Sequence, residues 1–557
     1  MILGLDMGGT NVDALLIKDG KIVKKVTKEI ESDDAFKTIF TTIESLIKAV
    51  DLKKITTINL STTIATNAIL LNKLANIALI VQTGPGLTKE YFKVAAKTFF
   101  ISGYTDHRGE VTKDYQKEEI ETIKKELKKN NITNLAIVSK FSTRNNSTEM
   151  NLKNIFKRDV ENITLGHQMS GKLNFPRRFK TSYLNASIKP LFKKFYDNIL
   201  TAFEGLGITC PLNILKADGG IIPLKEALKL PVESIFSGPS ASLMGMLALS
   251  KTKKDALLLD IGGTTTDIFF LKKGEPLFLR AGIEIKGNKT LIRALYSKSL
   301  PLGGDSLIKM VKNEVKIGPE RLDKALVFGG KYLTVTDILF YLTKKTFPYR
   351  SLVVKELAKL SVSLKLTNDD LAELIKAKFL SKIKKAVNLE LSLINNKLVY
   401  KIAELLKGET LVPEEMIVVG APARSFKKGL EESFKIPVII PPNYEVANAL
   451  GAALAKPTTA LSMLVNTKRR KMSIPELSIY RNVDFNYSLK EAKRYLLKEL
   501  LKEALRLGAD KEDLELEIIE EEQFNMVEGF YTSGKNMRLK AQVKPGLRKE
   551  SEFINVG

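Results

Sequence analysis

Apolar residues recur along this chain in two rhythms, and each predicts its own kind of element. Short apolar runs at residues 2–5, 14–17, 57–60, 77–81 and 135–138 read as strands, with Asp19-Gly20 as a hairpin turn into 21–23. Spacings of three and four, as in Phe36, Ile39, Phe40, Ile43, Leu46 and Ile47 or in Ile120, Ile123 and Leu127, predict amphipathic helices between them. This alternation argues for a mixed sheet with helices outside. The order restarts at Asp255, with strands at 257–259 and 268–271 and a turn at Lys273-Gly274-Glu275 into 276–278. From about Gly303 to Gly408 the pattern is helical, and 416–419 and 437–440 read as two further sheet strands. The segment 445–454 is rich in Gly and Ala, a composition that implies close packing of a helix against another helix or a nucleotide. Ser488-x-x-Glu491 is a capping box for a long amphipathic helix ending near Gly508. Strand-like runs at 514–519 and 537–543 flank that helix, so the last hundred or so residues read as a small α+β unit.

Two strand ends carry the same signature. Leu5-Asp6-Met7-Gly8-Gly9-Thr10 and Leu259-Asp260-Ile261-Gly262-Gly263-Thr264 each continue to an Asp three residues on, Asp13 and Asp267. A glycine pair after a strand lets backbone N–H groups approach phosphate oxygens unobstructed, and the threonine hydroxyl adds a donor. One copy is compatible with a plain hairpin; two copies half a chain apart imply two similar lobes closing on one nucleotide. Ile417-Val418-Val419-Gly420-Ala421-Pro422-Ala423 supplies a third strand-to-turn element against which an adenosine could lie. Neither a P-loop nor a dinucleotide fingerprint is found.

Composition narrows the classes. The 557 residues suffice for two to four domains, and one cysteine, Cys210, excludes an internal disulfide framework or a cysteine-built zinc or iron–sulfur site. No apolar run approaches the ~20 residues of a membrane span, and the first motif begins at residue 2, so neither membrane nor signal peptide is expected and the expected location is cytoplasmic. The net charge of +25 comes from lysines scattered among glutamates without interleaved aromatics, so nucleic acid is not an expected partner. A positive field drawing in nucleotide is the expected consequence.

The paired motifs resemble those of the actin, Hsp70 and sugar-kinase ATPases. Within that superfamily the chain resembles the hydantoinase/oxoprolinase A-subunit family over roughly residues 1–455, in an ordered series. The series comprises Ser61-Thr62-Thr63-Ile64-Ala65-Thr66-Asn67-Ala68, Ala217-Asp218-Gly219-Gly220, Ser237-Gly238-Pro239-Ser240-Ala241, Pro301-Leu302-Gly303-Gly304-Asp305-Ser306, Ile317-Gly318-Pro319 and Leu333-Thr334-Val335-Thr336-Asp337. Val12 replaces a usual threonine, Asp218 a common asparagine, and Asp305 stands where glycine is frequent. The resemblance implies an α/β, two-lobed actin-like (ribonuclease H-like) fold with a helical insertion. The expected division is 1–170 for the first lobe, 171–456 for the second and 457–557 for the α+β tail.

The resemblance also implies an activity: transfer of the ATP γ-phosphoryl group to the carbonyl oxygen of a cyclic amide such as 5-oxoproline or a hydantoin, or of a ketone. Ring opening would be completed with a B-type partner subunit. The alternatives are a stand-alone small-molecule kinase, an acetone-carboxylase-like subunit and a nucleotide-switched reactivase or chaperone-like ATPase. On this reading Asp6 and Asp260 hold a hydrated Mg²⁺, with Thr10 and Thr264 at the reacting phosphate. Gly8, Gly9, Thr10, Asn11, Gly262, Gly263, Thr264, Thr265, Asp267, Gly303, Gly304 and Gly420 contact nucleotide. Thr62, Thr63, Thr66, Asn67 and Asp218 face the substrate. Some alternatives stay open from the residues themselves: Asp13, Asp267 and Asp218 can each cap a turn, and the threonine set can cap a helix. His107 and His167 are not at metal-ligand spacing, and Cys210 has no histidine near it in sequence.

Overall fold

The computed structural model describes residues 1–30, 35–95, 97–279, 281–396, 410–549 and 551. The first sheet is built from β1 (Ile2–Met7), β2 (Asn11–Lys18), β3 (Lys21–Glu29), β4 (Thr57–Thr62), β5 (Leu212–Leu215) and β6 (Ile221–Pro223). Their order is β6-β5-β4-β1-β2-β3, with β1 to β3 an antiparallel meander and β4 and β5 parallel to the centre. Sequence and place agree: β1 and β4 are buried at every position, while β3 alternates exposed and half-buried residues as an edge strand should. The second half repeats the plan with β7 (Ala256–Ile261), β8 (Thr266–Lys272), β9 (Glu275–Pro276), β10 (Glu415–Val419) and β11 (Val438–Ile439), in the order β9-β8-β7-β10-β11. The register repeats too: Asp6 opposes Asp13 as Asp260 opposes Asp267. Two sheets of one connectivity make the two-lobed, ribonuclease H-like fold that the paired motifs implied.

Helices Ser237–Ser250 and Ala447–Leu454 lie between the sheets. A Cβ on Gly245 would stand 1.9 Å from the Ala447 carbonyl oxygen, and one on Gly451 1.9 Å from that of Ala241. A Cβ on Gly4 of β1 would come within 2.2 Å of the Ala449 oxygen. The Gly/Ala density of 445–454 therefore reflects backbone-to-backbone packing of helix on helix and helix on strand. One apolar cluster combines Ile2 and Leu15 of the first sheet, Leu258 and Phe269 of the second, and Leu243 and Leu450 of the helices. The lobes share a core there.

Elsewhere the structure departs from the simple reading. The single mixed sheet expected for the first part is two sheets. Ala78–Gln82, Lys97–Phe100, Asn134–Ser139 and Asn162–Leu165 form their own parallel sheet, inserted in sequence between β4 and β5. Parallel pairing needs crossovers, which helices Lys117–Lys129 and Ser147–Phe156 supply on its strands. Helix Phe175–Gly205 joins the units, with Phe175 and Phe179 in the inserted unit's core and Phe192, Phe195 and Ile199 in that of the first sheet. The first sheet thus recruits β5 and β6 from beyond residue 170.

The stretch expected to be helical from Gly303 opens instead with a hairpin, Ile308–Val311 and Glu314–Ile317. Its turn places Lys312 and Asn313 at φ 50° and 58°, the left-handed pair that a tight hairpin twist requires. Helices follow at Val335–Leu342, Arg350–Leu364 and Asn368–Asn395, packed on the second sheet; the last of the expected run, 397–409, lies outside the described residues. The final unit is a five-stranded sheet, Ala460–Asn466, Lys471–Ile474, Ile479–Asn482, Leu516–Glu528 and Tyr531–Val543, covered by helix Leu489–Arg506. Ser488 and Glu491 cap that helix reciprocally, as their spacing predicts. Among the described residues no helix is long and apolar enough to cross a membrane.

Candidate functional site

The two glycine turns are built alike. The Gly8 N–H donates to the Asn11 carbonyl at 3.0 Å, and the Gly262 N–H to that of Thr265 at 2.9 Å. Asn11 and Thr265 therefore close their turns through the main chain. None of the four turn glycines needs a left-handed backbone. Gly9 provides room, since a Cβ there would meet nothing within 4 Å, whereas one on Gly263 would stand 2.7 Å from Asp305 Oδ2. Gly420 is different, with φ 94° and the Ile261 carbonyl 2.2 Å from where a Cβ would stand, so only glycine fits where β10 passes β7. Gly303 and Gly304 pack on the second turn, the Gly304 N–H bonding the Gly262 oxygen at 2.9 Å and the Asp305 N–H the Gly263 oxygen at 2.7 Å. The family's missing threonine hydroxyl at Val12 lies away from the turns: Val12 is wholly buried, and its counterpart Thr266 spends its hydroxyl on the Leu302 carbonyl at 2.6 Å.

Behind the turns stand four aspartates. Asp6 accepts from the Ser61 hydroxyl and, at 3.2 Å, from the Asn448 amide. Burial raises its pKa above the usual carboxylate value. Burial also raises Asp260 to about 6, with Asp6 adding to the effect and Asn448 opposing it by hydrogen bonding. Asp13 and Asp267 are each lifted to about 7, by burial first and then by the charge of the neighbouring aspartates. Asp13 accepts from Thr27 at 2.6 Å, and Oδ1 of Asp267 is buried without a partner among the described residues. The structure shows neither aspartate capping its turn, so the cap reading gives way to a shared anionic cluster.

Such a cluster beside exposed N–H groups fits a cation and a phosphate together. Among the described residues no three acidic, histidine or cysteine side chains are arranged to cage a metal directly. Magnesium keeps several waters and is bound through one or two carboxylates plus phosphate oxygens. Asp6, bonded by Asn448 at 3.2 Å, and Asp260 are the candidate carboxylates for such an ion.

The threonine segment follows β4 directly, beside Asp6. Thr62 accepts from the Ile64 N–H at 3.2 Å, and its carbonyl accepts from the Ser237 hydroxyl at 2.7 Å. The Thr66 hydroxyl accepts from the Phe236 N–H at 2.8 Å, fixing a residue at φ 61° just before the central helix. Thr62 thus ties β4, and Thr66 the short helix Ile64–Leu70, to the start of the central helix. Thr63 and exposed Asn67, bonded to each other at 3.2 Å, remain open to solvent.

Asp218 is elsewhere engaged. It takes the Gly220 N–H at 3.1 Å and the Thr458 hydroxyl at 3.1 Å, with Lys216 and Arg293 at 3.5 and 3.4 Å. Burial opposes its charge, but Lys216 and Arg293 prevail and hold its pKa below the ordinary value. Asp218 thus forms its turn and joins two units, its oxygens engaged by protein groups. His167 is wholly buried, its Nδ1 2.6 Å from Glu149 and its Nε2 2.9 Å from Ser478 Oγ, while His107 lies in an exposed loop. Burial pushes the Cys210 thiol up, away from nucleophilic use.

Sequence reasoning missed Asn448 and Arg321. Asn448 is the one polar side chain in Ala-Asn-Ala-Leu-Gly-Ala-Ala-Leu, a signal that was legible. Arg321 had none: it reaches Thr10 Oγ1 at 3.3 Å from 311 residues away.

Comparison with known proteins places this geometry. The family model for the hydantoinase/oxoprolinase N-terminal region matches residues 2–160, and that for hydantoinase/oxoprolinase matches 178–461. An uncharacterised protein of Methanocaldococcus jannaschii is 24% identical over 507 residues, covering 81% of this chain and 72% of its own length. The caprolactamase subunit alpha of Pseudomonas jessenii is 26% identical over 148 residues, 26% of this chain, and the match spans only 21% of that subunit. Among solved structures, nucleotide-free acetone carboxylase has a TM-score of 0.71 at 15% identity, covering 99% of this chain and 88% of that one. The ATP-dependent caprolactamase of Pseudomonas jessenii gives 0.69 at 16%, covering 98% and 88%.

Proposed function

The chain belongs to the hydantoinase/oxoprolinase family, and from that premise we propose that it is an ATP-hydrolysing subunit which phosphorylates the carbonyl oxygen of a cyclic amide. One observation carries the reading: two register-matched Asp-x-Gly-Gly-Thr turns stand close enough for the charge of Asp6 to raise Asp260, and Asn448, bonded to Asp6 at 3.2 Å, lies near enough to oppose that rise. A single triphosphate between them would meet N–H groups from both lobes.

An amide carbonyl resists water because nitrogen lone-pair donation quenches its electrophilicity. Attack of the carbonyl oxygen on the γ-phosphorus expels ADP and leaves that oxygen as part of a phosphate leaving group. Water then adds to the carbon and the ring C–N bond breaks as the nitrogen takes a proton, leaving an acyl phosphate that a second water hydrolyses to carboxylate and phosphate. The protein's share of the first step is alignment and charge neutralisation. In this assignment the Gly8–Thr10 and Gly262–Thr265 turns hold the phosphates, with Gly303 and Gly304 backing the second turn and Gly420 beside the adenosine. Asp6 and Asp260 hold the waters of Mg²⁺, which when bound offsets phosphate charge. Asp267, with its unpartnered oxygen, and Asp13 complete the acidic wall. Thr63 and Asn67 face the substrate carbonyl. The caprolactamase likeness favours a lactam among cyclic amides, and a B-type subunit is the proposed partner for ring opening.

The test is ADP release from Mg²⁺-ATP by the purified chain, with and without lactams, hydantoins and ketones. Turnover stimulated by a cyclic amide, and cut about 100-fold or more in Asp260→Ala, is the expected result. Stimulation by ketones alone would replace the amide assignment with a carboxylase-like one, and absence of nucleotide binding would end the ATPase reading.

A further inference from the structure

Arg321 lies between the two glycine turns. Its Nη2 is 3.2 Å from Asp305 Oδ2, its Nη1 is 3.3 Å from Thr10 Oγ1, and its Nε is buried with no partner among the described residues. Asp305 in turn stands over the second turn, anchored by its own N–H to the Gly263 oxygen at 2.7 Å. Its Oδ2 sits 2.7 Å from where a Gly263 Cβ would be. A carboxylate thus fills the mouth of one glycine turn, and the guanidinium that pairs with it spans to the threonine of the other. Both side chains are largely shielded from solvent, at 27% and 13% exposure, so their charges are only partly screened.

A guanidinium fork suits a phosphate as well as it suits a carboxylate. Asp305 and a phosphate oxygen cannot share the second turn without repulsion, and the Nε–H of Arg321 is still unspent among the described residues. We propose that Arg321 binds the terminal phosphate of the nucleoside triphosphate, and that Asp305 is a placeholder carboxylate from which Arg321 is released when that phosphate arrives. This rests on the nucleotide assignment made under the proposed function. Because the contact is to the terminal phosphate, the pair distinguishes triphosphate from diphosphate. After phosphoryl transfer Arg321 returns to Asp305, which weakens the hold on ADP. The Thr10 contact couples this exchange to the approach of the two lobes. The departure from the family pattern at Asp305 then has a partner in Arg321.

The experiment is calorimetric titration of the full chain, in MgCl₂, with adenylyl imidodiphosphate and separately with ADP. Arg321→Ala is expected to weaken the triphosphate analogue about 10- to 100-fold, the range for a hydrogen bond to a charged group, while ADP affinity stays within about twofold. Arg321→Lys, which keeps charge but not the fork, should recover part of that loss. Asp305→Ala should tighten the analogue several-fold, and in an Arg321→Ala background that gain should vanish, which a merely structural ion pair would not produce. An analogue-to-ADP affinity ratio unchanged in Arg321→Ala, with the wild type binding both ligands, overturns the inference alone. A wild type that binds neither ligand overturns the nucleotide assignment and this inference with it. Asp305→Asn, which preserves shape, serves if the alanine variant does not fold.

Discussion

At the scale of single residues, the site is an arrangement of charge that the chain alone leaves incomplete. Unfolded aspartates titrate near 3.8, whereas Asp13 and Asp267 are lifted to about 7 and Asp260 to about 6, chiefly by burial. Between those values the folded state binds more protons than the unfolded one, so stability falls as pH rises from about 4 to about 7 and the penalty is complete above that. Asp13→Asn or Asp267→Asn should therefore raise the melting temperature at about pH 8 and change it little near pH 3, where both states are mostly protonated. Magnesium added to the wild type above pH 7 should recover stability and release protons, since a cation favours the charged carboxylates. Melting curves across this range, with and without MgCl₂, check both; a wild type insensitive to pH would refute the cluster. Asp6, Asp260 and the glycine turns were legible in sequence because such a turn is local. Asn448 was legible only as the one polar side chain of a Gly/Ala helix, and Arg321 was not, since their contacts lie 442 and 311 residues away.

At the scale of elements, the crossing of helices Ser237–Ser250 and Ala447–Leu454 sets how close the lobes come. Gly451→Ala would place a methyl 1.9 Å from a main-chain oxygen, and backbone cannot rotate aside as a side chain can. The expected cost is about 1–3 kcal/mol or more, together with weaker nucleotide binding, because Asn448 rides on the displaced helix. Denaturant unfolding and nucleotide titration of that variant measure the two effects; loss of stability alone would show that Asn448 does not depend on the crossing. The sequence pointed to close packing here through its Gly/Ala density. It misread residues 308–317 as helical, because apolar residues in a short hairpin also fall at spacings a helix allows. The turn at Lys312-Asn313 was the only local discriminator.

At the scale of the whole molecule, contacts between units decide the assembly. The buried Glu149 carboxylate takes the Ser139 N–H at 2.8 Å and the His167 ring at 2.6 Å, and His167 reaches Ser478 of the C-terminal sheet unit at 2.9 Å. Asp218 and Thr458 make a second joint. His167→Ala leaves the buried Glu149 carboxylate only its main-chain N–H partners and should cost about 1–3 kcal/mol. Ser478→Ala should cost about 1 kcal/mol and leave ATP turnover per folded molecule unchanged. Differential calorimetry with activity assays on both variants tests this, and loss of turnover in Ser478→Ala would assign the network a chemical role. By itself the sequence determined the glycine turns, their duplication and the strands that flank them, because each depends on periodicity or on adjacent residues. Only the tertiary structure decided that the first half holds two sheets, that Asp13 and Asp267 join an acidic cluster, that Asp218 is a joint and that Arg321 spans the turns. Those outcomes rest on burial and on distances between remote segments, and neither quantity exists until the chain has folded.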